Sequence, residues 1–246
     1  MGKMFSRRRI LISFLLILCL GAGGCRLFRF LEAKDQLGNF AENFSVSDHN
    51  GLRLTFKRPV LPTEDINWLM VSSPPLKISF SEDTELWTYH LVKTYPVRKK
   101  ESGNFDLAIR MKFCRDKLCE VVFPERLTKY INKEIFGKVM NSVGDAEVKK
   151  FKKTSTAAVN NLKPVEIPVL SEVVEILGSP YARLSEDGGS VSVYKYRLRE
   201  RTPEGKYIVF RLLFSFDEET GKLKKFVLPL RSVKLMMNFE QDVTRQ

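Results

Sequence analysis

Residues 167–181, Ile-Pro-Val-Leu-Ser-Glu-Val-Val-Glu-Ile-Leu-Gly-Ser-Pro-Tyr, carry the signals that decide the fold. Ser171 offers an N-cap with Glu172 behind it, and Val173, Ile176 and Leu177 share one side of a helix that Gly178 and Pro180 stop. Downstream, Val193-Tyr-Lys-Tyr-Arg-Leu and Ile208-Val-Phe-Arg-Leu-Leu-Phe-Ser-Phe read as strands joined through Pro203-Glu204-Gly205. Asp217 to Gly221 then turns into a third strand, Leu223-Lys-Lys-Phe-Val-Leu-Pro. A short capped helix on a three-stranded antiparallel sheet accounts for all of it.

The first half of the chain repeats this order. Pro59-Val60-Leu61 matches Pro168-Val169-Leu170 at a separation of 168 − 59 = 109 residues. Thr63 caps a helix with Glu64 and Asp65 in its first turn, Ile66, Leu69 and Met70 form its buried stripe, and Pro74 stops it. Trp87-Thr-Tyr-His-Leu-Val, Phe105-Asp-Leu-Ala-Ile-Arg-Met-Lys-Phe and Leu118-Cys-Glu-Val-Val-Phe-Pro then correspond to the three strands of the second half. Upstream, Phe44-Ser-Val-Ser and Leu52-Arg-Leu-Thr-Phe flank Asn50-Gly51, a hairpin signal. Alternation gives each sheet one greasy and one partly solvated face: Phe105, Leu107, Ile109, Met111 and Phe113 oppose Asp106, Ala108, Arg110 and Lys112.

The expected fold is therefore α+β: two tandem repeats of a helix packed on a three-stranded or larger antiparallel sheet, after a signal peptide. Residues 1–24 are read as the signal peptide, 25–43 as a lipid-anchored tether, 44–124 as the first repeat, 125–166 as a helical and basic connection, and 167–246 as the second repeat. Within the tether, Arg26 to Leu37 has helical spacing, and within the connection Glu125 to Ser142 reads as one helix. Lys149-Lys150-Phe151-Lys152-Lys153 then enters a polar, exposed stretch, and Leu230 to Met237 reads as a strand or short helix.

The amino terminus bounds the compartment. Lys3 and Arg7 to Arg9 precede an apolar run from Ile10 to Leu20, followed by Gly-Ala-Gly-Gly and Cys25, the pattern of a secretory leader. Ala22-Gly23-Gly24-Cys25 resembles the lipobox of bacterial lipoproteins, although Ala22 stands where leucine is usual. The resemblance implies a lipid on Cys25, and Arg26 after it implies outer-membrane delivery with the body facing the periplasm of a Gram-negative-type bacterium. An unlipidated secreted chain and an uncleaved anchor are the alternatives. The 246 residues carry a net charge of +12, and a processed chain without Lys3, Arg7, Arg8 and Arg9 carries 12 − 4 = +8. That charge suits anionic lipid or an acidic protein, and a solvated basic surface equally well. Export argues against nucleic acid as a partner.

Cys114 and Cys119 flank Arg115-Asp-Lys-Leu at a hairpin tip, within disulfide reach across antiparallel strands, and an exported protein meets oxidising conditions. A metal site lacks companion ligands, since His49 and His90 are the only histidines. No Gly-x-Ser-x-Gly, His-Glu-x-x-His or phosphate-binding glycine loop occurs, so neither catalytic residues nor a cofactor is expected, and His90 is read as structural. Tyr194, Lys195, Tyr196, Arg197, Arg199, Tyr207 and Arg211 interleave aromatic and basic side chains. From these and the first half, Tyr194, Tyr196, Arg197, Arg211, Arg110 and Lys112 are taken as the candidate binding surface.

Leu177-Gly178-Ser179-Pro180, Tyr194-Lys195-Tyr196 and the hairpin through Gly221-Lys222-Leu223 resemble the SmpA/OmlA (BamE-like) family of outer-membrane lipoproteins. A tandem of such units is similar in architecture to β-lactamase inhibitor proteins. The resemblance implies a non-catalytic, lipid-anchored envelope scaffold that binds another envelope protein, in outer-membrane assembly or maintenance. A periplasmic inhibitor or immunity-type factor is one alternative, and an envelope enzyme with a site assembled only in space is another.

Overall fold

A computed structural model describes residues 26–49, 51–96, 103–149, 154–186, 189–230 and 233–239. The first half contains α1 (residues 26–38), α2 (Phe40–Asn43), β1 (Phe44–Ser47), β2 (Arg53–Phe56), α3 (Thr63–Leu69), β3 (Leu76–Ser81), β4 (Thr84–Thr94), β5 (Leu107–Cys114) and β6 (Lys117–Val122). A 3-10 turn (Glu125–Lys129), α4 (Lys133–Gly144), β7 (Glu147–Lys149) and β8 (Thr154–Ala158) follow. The second half contains a 3-10 turn (Pro164–Glu166), α5 (Leu170–Leu177), β9 (Ala182–Glu186), β10 (Gly189–Arg201), β11 (Tyr207–Asp217), β12 (Leu223–Leu230) and β13 (Val233–Asn238).

The expectation of two separate helix-on-small-sheet repeats is overturned: the 13 strands of the described residues form one mixed sheet. Its order is β1-β2-β6-β5-β4-β10-β11-β12-β13-β8-β7, with β3 beside β4 and β9 beside β10. The reason lies in strand length. β4 spends its first part pairing with β3, and β10 its first part pairing with β9. The overhanging remainders pair with each other in the register Lys195↔Thr94, Tyr196↔Lys93, Arg197↔Val92 and Leu198↔Leu91. A strand that outruns its own hairpin presents unpaired N–H and C=O groups, and two such ends satisfy each other. The connection is also absorbed into the sheet, because β8 pairs antiparallel with β7 and parallel with β13. Lys150 to Lys153, read as its exposed basic stretch, lie outside the described residues.

One face of this sheet is covered. Ile66 and Met70 of α3 and Val173, Ile176 and Leu177 of α5 join a single core with Trp87, Tyr89, Phe113, Tyr194, Tyr196, Phe210 and Phe216. The core is continuous across the seam. Lys93, buried on that side, donates from Nζ to the Leu177 carbonyl at the end of α5. Its ammonium lies 4.7 Å from the Phe105 ring centre and 4.9 Å from that of Tyr95. A buried cation is tolerated there because the helix carboxyl end and the ring faces are both electron-rich. Arg126 adds a second tie, donating from Nη2 to the Asp106 carbonyl at 2.7 Å and from Nη1 to the Ile176 carbonyl at 3.4 Å.

The segment read as a tether is folded against the body. Arg26 Nε lies 2.9 Å and Arg29 Nε 2.6 Å from the carboxylate of Asp65, which is fully buried in the first turn of α3. Burial pushes the Asp65 carboxyl up, but hydrogen bonds from Arg29 and Arg26 outweigh it and hold the group below its usual range. At the other end of α1, Lys34 Nζ donates to the Gly144 carbonyl at 2.6 Å. Gly38 meets Gly144 so closely that a Cβ on Gly144 would lie 1.9 Å from the Gly38 nitrogen. Buried Asn43 donates to the Gln36 and Asn39 carbonyls and accepts from Arg58, which fixes the chain as it enters β1. The single helix expected over 125–142 is broken, because the Asn132 side chain accepts from Ile135 N at 2.9 Å and starts α4 anew.

The β5–β6 hairpin closes through Arg115 and Asp116, both with positive φ. Cys114 faces Lys117 in register, and Cys119 is the extra residue of a bulge, which brings the two Cα atoms to 5.8 Å and the sulfurs to 2.13 Å. In the second half the equivalent turn has no sulfur: Asp217 accepts from Thr220 N and Oγ1 at 2.9 Å, and Gly221 supplies the positive φ. Both turns dock the start of a helix, through the bridges Pro62↔Lys117 and Val169↔Lys222.

Candidate functional site

Period-two alternation sorts the side chains of β10 onto two faces. Tyr194, Tyr196 and Leu198 point into the core, and Lys195, Arg197 and Arg199 point away from it. The register then assembles a basic surface from separate strands. Lys195 stands between Thr94 of β4 and Arg211 of β11, and Arg197 stands between Val92 and Val209. Tyr181, ahead of β9, and Tyr207, opening β11, line a cleft of about 650 Å³ together with Thr94, Lys195, Arg197, Val209, Arg211 and Pro229.

The aromatic walls hold the cations in place. Lys195 Nζ lies 3.5 Å from the Tyr181 ring centre, and the Arg197 and Arg201 guanidinium carbons lie 4.4 Å and 4.7 Å from that of Tyr207. A hydrogen bond from Arg201 and its charge hold the Tyr207 phenol below its ordinary range, with Arg197 adding in the same direction. Among the described residues no acid lines the cleft, and no carboxylate lies within ion-pair distance of Lys195, Arg197 or Arg211. Like charges directly opposed on neighbouring strands, as Lys195 and Arg211 are, repel and destabilise the sheet. The cleft is thus a standing positive potential that an anion relieves.

No protein-family model, curated protein or solved structure matches this chain. The SmpA/OmlA resemblance therefore rests on its short motifs. In the structure Gly178 ends α5 with φ 71, and the tyrosines of Tyr194-Lys195-Tyr196 are buried. The cleft is argued from its own geometry.

Of the six surface residues named from the sequence, Arg197 and Arg211 line the cleft. Arg110 and Lys112 are exposed on the same open side of the sheet, on β5, opposite Thr88 and Leu86 of β4. Tyr194 and Tyr196 contribute nothing to that surface, because their even positions on β10 face the helices. Tyr196 and Tyr89 lose solvent there without a hydrogen-bond partner for either hydroxyl among the described residues, and burial raises both phenols above the ordinary range. Three contributors went unnamed in that surface: Lys195, Tyr207 and Tyr181. The first two carry a sequence signal, the odd phase of β10 and β11, whereas Tyr181 enters only because β9 folds back beside β10. His90 lies half-buried on the open side opposite Ala108. Among the described residues no group of three or more His, Cys, Asp or Glu side chains is placed to hold a metal ion. Cys25 lies outside the described residues.

Proposed function

We propose that this protein is a non-catalytic lipoprotein of a Gram-negative-type cell envelope, anchored through lipid at Cys25 in the outer membrane and facing the periplasm, whose open sheet face binds an acidic segment of another envelope protein. Its work is that of a scaffold in outer-membrane assembly or maintenance. The observation that carries the binding reading is the opposition of Lys195 and Arg211 beside Arg197, three cations without a carboxylate partner among the described residues, at the seam of the two halves. A flat cationic surface with tyrosine walls suits a peptide carboxylate, which the arginine fork can accept with two parallel hydrogen bonds. The leader pattern and the Ala22-Gly23-Gly24-Cys25 junction support the anchor.

The test is capture from detergent-solubilised envelopes with the wild type and with Lys195→Thr/Arg211→Thr. The expected result is a partner held by the wild type, released by rising salt and lost with the variant. A partner held equally by both chains overturns the proposed surface. A single tightly held enzyme among the captured proteins favours the inhibitor reading instead. If Cys25→Ser leaves both mass and membrane attachment unchanged, the anchor is wrong.

A further inference from the structure

The described part of helix α1 opens at residue 26, next to Cys25 in the sequence, and it is not free to swing. Its first turn is fixed to α3 by the Arg26 and Arg29 pairs on Asp65, and Arg29 Nη2 also reaches Glu64 Oε1 at 2.7 Å. Trp68 of α3 is held between the same two turns: the Arg26 guanidinium carbon is 5.4 Å and the Phe30 ring centre 5.9 Å from its ring. With 100° per residue, positions 26, 29, 30 and 33 face the body, and 27 and 28 face away. Leu27 is 53% and Phe28 71% exposed. The opening turn of α1 thus shows two large apolar side chains to the outside, at the spot where the chain meets its apolar leader.

We infer that Leu27 and Phe28 form a bilayer-contact patch that seats the body on the membrane in one fixed pose, with Trp68 held behind it on the body side of α1. This rests on the anchor proposed above. Leu27 and Phe28 stand two and three residues after Cys25, so at most about 11 Å of chain separates them from a lipid attached there, and Trp68, packed on the same two turns, is carried close to the headgroup layer. Leucine and phenylalanine on the outer side of an interfacial helix sink into the acyl boundary, and tryptophan is favoured at the headgroup level. The occupant is lipid because only Arg26 stands between the patch and the attachment point in the sequence. The clamp on Asp65 makes the pose rigid, and the basic cleft is carried at a set height above the bilayer.

The experiment uses the full-length, lipid-bearing protein reconstituted into phosphatidylcholine vesicles that contain a lipid with a nitroxide on its headgroup. The chain has two tryptophans, and Trp87 is buried in the core, so Trp68→Phe identifies the signal of Trp68. The expected result is loss of most Trp68 emission on the nitroxide vesicles and its recovery in Leu27→Ser/Phe28→Ser, whose exposed positions leave folding untouched. Asp65→Asn, which releases the Arg26–Arg29 turn of α1 from α3, gives the same recovery while the protein stays vesicle-bound. Vesicle-bound protein whose Trp68 emission matches nitroxide-free vesicles overturns the patch and leaves the anchor standing. Quenching unchanged in Leu27→Ser/Phe28→Ser overturns it too. Protein that fails to stay on vesicles overturns the anchor, and the patch falls with it.

Discussion

The two faces of β10 are made from one run of alternating residues, yet they obey opposite rules. On the covered face Tyr194, Tyr196 and Leu198 are packed with side chains from both halves, so each position is fixed by shape. On the open face Lys195 and Arg197 stand beside Thr94, Val92 and Arg211, where charge accumulates without compensation. The covered face holds the halves together, and the open face gives up stability for a potential that only a partner can use. A strand at a seam can do both because its period of two keeps the tasks on separate sides.

Four changes sharpen or break that contrast. The largest effect is expected from Tyr196→Ala, which opens a cavity at the seam and lowers stability by about 3–5 kcal/mol in urea melts; a loss below 1 kcal/mol would show that the seam is not packed as described. Next comes Asp65→Ala, at about 3 kcal/mol, moderated because Arg26 and Arg29 can turn toward water. The same contact gives an acid signature. The folded Asp65 carboxyl lies below its unfolded value near 4, so its stabilisation is complete above that pH and fades as pH falls through the folded value. Helix α1 should therefore loosen in acid, visible as faster amide exchange over residues 26–38, whereas the cleft, which no carboxylate lines among the described residues, stays indifferent. Tyr196→Phe removes a buried hydroxyl that has no partner among the described residues and should raise stability by about 1 kcal/mol; a loss instead would reveal a hidden partner. The smallest effect belongs to the open face, where Lys195→Thr/Arg211→Thr should stabilise the chain by about 0.2–1 kcal/mol while abolishing capture of an acidic partner.

Much of the local structure was legible. Apolar spacing placed α3 and α5, Gly178 ended α5, and alternation placed the long strands, since these periods are written in neighbouring residues. The expected caps are corrected: Thr63 and Ser171 lie inside their helices, behind Pro62 and Val169, and the Thr63 hydroxyl turns to Asp116 instead. What escaped was pairing between distant segments. Nothing in Leu91 to Thr94 announces that these residues meet Lys195 to Leu198, because a strand end looks the same whether water or another strand completes it. For the same reason the connection around Thr154 to Ala158 read as polar linker, although β13 takes it into the sheet. The candidate surface suffered from mixing phases: aromatic and basic residues of β10 were pooled, and only the odd ones reach solvent. Arg110 and Lys112 were separated correctly from their core neighbours by the same alternation.

The parallel pairing of β8 with β13 has a consequence for how the chain acquires its shape. The two strands are separated by 233 − 158 = 75 residues, and β13 is the last strand of the sheet. Until it arrives, β8 has a partner on one side only, the three residues of β7, and its other edge stands open. Contacts between remote segments are slow to form because loop closure must precede any gain from them. Folding of this chain should thus finish from its far end, and a chain cut before Val233 would leave an open strand edge that invites pairing with its neighbours.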